Sequence, residues 1–148
     1  MKATLLTSVF AALVFSTTVS AKNVKTYINM ESNESGIKKE YVSVDAETHK
    51  PLTKKYYNYD SEGNIIEKTV SKWNDVSGWV NYGKYEYKYL ENGKVANIIY
   101  TEWNGKKNTW ADKSDFLIHF YDDNGEFLYI RQIKIENSIN NYNLISQK

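Results

Sequence analysis

An all-β fold, an antiparallel meander of about eight strands built from repeated hairpins, is what this sequence predicts, on three observations. Apolar and polar residues alternate, most cleanly in "KYEYKY", where Tyr85, Tyr87 and Tyr89 point one way and Lys84, Glu86 and Lys88 the other. The alternating runs are rich in Tyr, Ile, Val, Thr, Phe and Trp, side chains that suit a pleated, half-buried surface. Between the runs stand short turns, "YDSEGNI", "YLENGKV" and "YDDNGEF", each with a glycine four residues after a tyrosine.

The chain opens "MKATLLTSVFAALVFSTTVSAKN": a lysine at position 2, an apolar run from Ala3 to about Phe15, then small residues up to Val19 and Ala21. That is the layout of a secretory signal peptide over residues 1–21, with cleavage before Lys22. The apolar run is shorter than the roughly 20 residues of a spanning helix, so no transmembrane anchor is expected in the mature form. No cysteine follows it to carry a lipid. A periplasmic or extracellular location follows, and residues 22–148 are the size of a single all-β domain of roughly 30-residue hairpin repeats.

"VKTYINM" (Val24 to Met30) supplies the first strand. "EYVSVDAETHKPLTKKYY" reads as a hairpin with a long turn around Ala46 to Lys50, and Pro51 begins the returning strand, where its missing N–H does least harm. The three glycine turns follow. A type I turn with glycine next in the left-handed region joins antiparallel strands in this way, which places Gly63, Gly93 and Gly125 at hairpin tips. Trp73 and Trp103 are 30 residues apart and Trp79 and Trp110 are 31 apart, a hairpin-sized period. Aligning the repeats by the turn tyrosine matches Tyr87 with His119, whereas aligning by the second tryptophan matches Tyr85, Tyr87 and Tyr89 with Phe116, Ile118 and Phe120. The two alignments differ in parity, so a bulge is expected to absorb the slip. The asparagine-rich end, "NSINNYNLISQK", carries no assignment. The expected architecture is a curled sheet, with a closed up-and-down barrel as the alternative. Its aromatic face is expected to pack inside the curl or ring against ring, and its Lys, Glu, Asn and Thr face to be wet.

Cysteine is absent, so neither disulfides nor thiolate metal sites contribute. Without Lys2 the chain carries 18 basic and 18 acidic residues, and Arg131 is its sole arginine. The lysines alternate with apolar residues like the solvated face of strands, not like a phosphate-binding patch, so no nucleic-acid partner is expected. His49 falls in a polar turn and His119 in a strand, neither at a metal-ligand spacing, and there is no serine elbow. Glu86, Glu91 and Glu102 read as solvated charges, although two carboxylates facing each other across a cleft would stand as glycosidases require. No catalytic residue, cofactor or metal is expected, and the protein reads as a non-enzyme. "NES" at Asn33 to Ser35 has the form of an N-glycosylation acceptor.

The tryptophan loops have the form Trp-Asn, a polar stretch, then Trp. Trp73, Trp79, Trp103 and Trp110 either seal the ends of the sheet or stack on sugars, with Asn74 and Asn104 offering hydrogen bonds to a polar ligand. The signal ending "VSA" and the "WN...W" loops joined to "YxxxG" hairpins resemble small exported Bacteroidales proteins grouped as a domain of unknown function. That resemblance implies an exported all-β protein with no assigned activity and no functional residues to carry over. "YDSEGNI" and "YDDNGE" are also similar to the Tyr-Asp repeats of large secreted shell-forming proteins, a likeness of hairpin chemistry that "YLENGK" shares without the aspartate. The expected function is an exported, noncatalytic module that binds a polysaccharide or a cell-envelope protein. The alternatives are an assembly protein pairing through its sheet edges and a small-ligand carrier.

Overall fold

The computed structural model describes residues 15–17 and 23–136. Among them nine strands succeed one another in chain order, with antiparallel pairing from β1 through β6 and from β7 through β9: β1 (Phe15–Thr17), β2 (Val24–Asn33), β3 (Gly36–Asp45), β4 (Pro51–Tyr59), β5 (Ile65–Asn74), β6 (Gly78–Tyr89), β7 (Val95–Asn104), β8 (Thr109–Tyr121) and β9 (Phe127–Glu136). The eight long strands, β2 to β9, are those the alternation predicts. The strand order has two ends, so the meander is open and the barrel alternative is not realised. The leader and the asparagine-rich end lie outside the described residues, apart from 15–17, whose backbone pairs with Val24 to Thr26. The chain divides between Glu86 and Tyr87, within β6, into two units.

In the first unit β2 and β3 meet at a turn so short that Asn33 pairs with Gly36. Gly36 has φ +139, and a Cβ there would lie 2.0 Å from the Tyr59 carbonyl oxygen, so the close approach of β3 to the end of β4 requires glycine. The longer turn between β3 and β4 winds around Asp45, whose Oδ1 accepts the N–H groups of Glu47 and Thr48 while its carbonyl accepts from His49. Between β4 and β5 the Asp60 carbonyl accepts the Gly63 N–H, and Asp60 N–H donates to Asn64 O, with Gly63 at φ +88. That is the predicted glycine tip. Asp60 Oδ1 also accepts from the N–H groups of Glu62 and Asn64. The Asn64 side chain first, then these backbone donors, hold the Asp60 carboxyl below the usual carboxylate range. A bulge lies in β6: Val70 pairs with Gly83 and Ser71 with Asn81, leaving Tyr82 as the extra residue.

The second unit repeats the Gly63 turn form twice, at Gly93 (φ +80) and Gly125 (φ +79). Asp122 Oδ1 caps its turn as Asp60 does, accepting from Asn124 and Glu126. Leu90 stands where those turns have aspartate and cannot cap, and there Asn92 Oδ1 accepts the Lys94 N–H instead. The two turns are tied together: Lys94 Nζ donates to the Gly125 carbonyl and sits 5.4 Å from the Tyr121 ring, while Tyr121 Oη donates to the Val95 carbonyl at 2.8 Å. This unit also holds the apolar core. Ile99, Phe116 and Ile118 are buried, with Phe120, Ile133 and Ile135 packed against them. In the same rows Thr101 and Ser114 are buried and satisfy each other through a 2.6 Å hydroxyl bond. A second irregularity, between Thr101 and Trp103, pairs Thr101 with Ser114 but Trp103 with Trp110.

Candidate functional site

Each predicted tryptophan pair stands directly across a hairpin end, Trp73 opposite Trp79 and Trp103 opposite Trp110. The rings meet edge to face, with centroids 5.3 Å apart at 79° in the first pair and 5.0 Å apart at 82° in the second. Aromatic rings prefer this arrangement because the positive edge of one meets the negative face of the other. All four tryptophans are half-buried. The adjoining asparagines organise the turns. Asn74 Oδ1 accepts from the Val76 and Ser77 N–H groups and the Ser77 hydroxyl, and Asn104 Oδ1 accepts from the Lys106 and Lys107 N–H groups. The same loop draws in Asp75, whose carboxyl is held low chiefly by Lys50 at 2.7 Å. The geometry places Trp73, Trp79, Trp103, Trp110, Asn74 and Asn104 at the closing ends of their hairpins.

A different surface collects the chemistry of the first unit. Registered pairing puts Lys39, Tyr57, Lys68 and Tyr85 in one row across β3 to β6, and Ile28, Tyr41, Lys55, Val70 and Gly83 in the next. Tyr41 packs edge-on to Tyr57 at 5.5 Å, and Tyr57 stacks on Tyr59 at 6.3 Å. Lysine ammonium groups lie over these and neighbouring rings: Lys39 is 4.9 Å from Tyr59, Lys68 is 4.7 Å from Tyr85, and Lys72 is 3.4 Å from Tyr82. Burial first, and the Tyr41 phenol second, raise the Tyr57 and Tyr59 phenols above their ordinary value. Burial first, and the neighbouring Lys55 second, lower Lys68.

This placement corrects the reading of the lysines as a solvated face opposite the aromatic one. "KYEYKY" does separate tyrosine from lysine, but "KKEY" and "KKYYNY" put Lys39 two residues from Tyr41 and Lys55 two residues from Tyr57. Residues two apart in a strand share a face, so these lysines join the tyrosines. Among them opens a depression of about 410 Å³ lined by Thr26, Tyr41, Ser43, Lys55, Tyr57 and Tyr59. The Thr26 and Ser43 hydroxyls stand 3.0 Å apart in its wall. Hydroxyls, phenols and one ammonium around a hollow suit a polar, oxygen-rich ligand. The sequence signal for it was there, in the two-residue spacing of lysine and tyrosine on adjacent strands.

The opposite face of this unit is paired instead. Lys54 bridges Glu40 at 3.6 Å and lies 5.1 Å from the Trp79 ring, and Lys84 bridges Glu86 at 3.0 Å. Glu91 and Glu102 are exposed. His49 sits in its turn at φ +59, and His119 Nδ1 is 3.2 Å from the Leu117 carbonyl. Among the described residues no group of three or more His, Cys, Asp or Glu is placed to hold a metal, and no helix is long and apolar enough to cross a membrane.

No protein-family model matches the chain, and no curated protein does. Two solved structures are similar to it. A DUF3836 family protein from Bacteroides vulgatus is 16% identical with a TM-score of 0.42, over 75% of this chain and 98% of the other. A DUF3836 family protein from Parabacteroides distasonis is 15% identical with a TM-score of 0.38, over 81% and 95%.

Proposed function

We propose that the protein is an exported, noncatalytic module that binds a polysaccharide through the tyrosine-lined depression on the sheet of its first unit. The observation that carries this reading is the lining itself. Tyr41, Tyr57 and Tyr59 offer ring faces and phenols, and Thr26 and Ser43 offer hydroxyls, around a hollow of about 410 Å³. Sugars are recognised by that combination, because their C–H faces lie on aromatic rings while their hydroxyls need donors and acceptors. The tryptophans, expected to grip the ligand, serve this reading indirectly by closing the hairpin ends.

A glycan array probed with the intact chain tests the proposal, with Tyr41→Ala and Tyr57→Ala as variants. Retention of a glycan that either substitution weakens about ten-fold, the effect of roughly one aromatic contact, supports it. Retention of no glycan, or retention indifferent to both substitutions, overturns it.

A second reading, assembly through a sheet edge, is favoured by one observation. Phe127, Leu128, Tyr129 and Ile130, consecutive in β9, are exposed at 55%, 54%, 46% and 48%. Four large apolar residues in a row on an end strand are an invitation to strand pairing. Sedimentation of the wild type and of Ile130→Lys distinguishes the readings, since assembly through β9 requires the charged variant to shift toward monomer.

A further inference from the structure

We propose that the ligand of this face is an anionic polysaccharide, one bearing carboxylates or sulfates, and that Lys39, Lys55, Lys68 and Lys72 recognise its charge. The inference rests on the glycan reading above and adds the class of glycan. Lys39 stands on β3, Lys55 on β4, and Lys68 and Lys72 on β5, all projecting on the tyrosine side of the sheet. No acidic residue shares this side across the rows from Lys39 to Tyr85, from Tyr41 to Gly83 and from Ser43 to Val80. Among the described residues none of the four makes an ion pair, whereas Lys54 and Lys84 on the other side are each matched to a glutamate.

A chain with as many acids as bases could have matched these lysines too. Gathering them unmatched sets like charges side by side: burial first, and the neighbouring Lys55 second, lower Lys68. An anion laid across the face would relieve that repulsion. The positions form a track, not a point. Lys39 and Lys68 are two strands apart in one row, roughly 10 Å, with Lys55 on the strand between them and offset by one row. A polymer with acidic groups along one edge matches that spacing; a single small anion engages only part of it. Lys55 lies in the wall of the depression, where a sugar resting on Tyr41 and Tyr57 brings an acidic substituent within its reach. Nucleic acid is the other polyanion. The face has no arginine for bidentate phosphate contacts, the side chain on which phosphate recognition leans.

Titration calorimetry with four probes tests the inference: polygalacturonate, heparin, neutral dextran and a single-stranded oligothymidylate, each at low and at high salt. The variant is Lys55→Gln with Lys68→Gln, and the control, Lys25→Gln with Lys38→Gln, removes the same charge from the other side of the sheet. Circular dichroism establishes that both fold. The expected result is binding of polygalacturonate or heparin that weakens with salt and falls about ten-fold in the variant, the worth of two surface charge pairs, with the control unchanged. Equal loss in variant and control overturns the assignment to this face. Dextran bound as tightly as the acidic polymers, by wild type and variant alike, overturns the anionic class and leaves the glycan reading standing. Oligothymidylate bound through the same lysines in preference to both acidic glycans overturns it in favour of nucleic acid. Failure of all four probes removes this inference, and the glycan array then decides the broader reading separately.

Discussion

A single hydrogen atom in place of a methyl decides the first hairpin. Gly36 stands where a Cβ would meet the Tyr59 carbonyl oxygen at 2.0 Å, and that oxygen belongs to backbone and cannot swing away. Gly63, by contrast, has open space around its Cβ position and needs glycine only for its φ of +88. Gly36→Ala is therefore expected to cost at least about 2 kcal/mol, combining strain with overpacking, and Gly63→Ala about 1 kcal/mol. Urea denaturation of the two variants measures the difference; equal losses would show that β3 can move away from Tyr59 freely. Gly63, Gly93 and Gly125 were legible because the tyrosine-to-glycine spacing repeats three times. Gly36 was not, because its requirement comes from a strand that pairs with β3 and leaves no mark beside it in the chain.

At the scale of the element, the hairpins that carry the tryptophans are closed by ring pairs and capped by asparagines. Each ring is half-buried, so truncating one is expected to cost about 1–3 kcal/mol, less than the loss of a fully buried tryptophan. A double-mutant cycle of Trp103→Val and Trp110→Val should return a coupling of about 1 kcal/mol, the worth of an edge-to-face pair beyond its buried area. A coupling near zero would mean that the rings act separately. The sequence puts the two rings of each pair on either side of a polar loop; only the register shows that the partners stand directly opposite. The same register exposed the error over the lysines. Alternation in β6 separates Lys84 from Tyr85, while in β3 and β4 the doubled lysines put one of each pair in phase with the tyrosines.

Across the molecule the two units are stabilised differently. In the second, Ile99, Phe116 and Ile118 form a buried cluster, whereas Val44 is the buried apolar residue of the first among those described. The first leans instead on packed tyrosines, lysine-over-ring contacts and cross-strand polar pairs, each worth on the order of 1 kcal/mol or less. Hydrogen exchange should accordingly find the slowest amides around Ile99 in β7 and Phe116 to Ile118 in β8, with β2 and β3 exchanging sooner. Uniform protection over both units would contradict this division.

By itself the sequence determined the strands, their order and the glycine turns, because two-residue alternation and turn chemistry are local properties written along one stretch of chain. It determined too that no disulfide contributes, since cysteine is absent. Tertiary structure alone decided what stands beside what. Pairing of β3, β4 and β5 in one register brought Lys39, Tyr57 and Lys68 into a row and placed Lys55 in the wall of a tyrosine-lined hollow. Cross-strand neighbours are set by hydrogen-bond register and by bulges, and shifting either by one residue would turn the same side chains to the other side of the sheet.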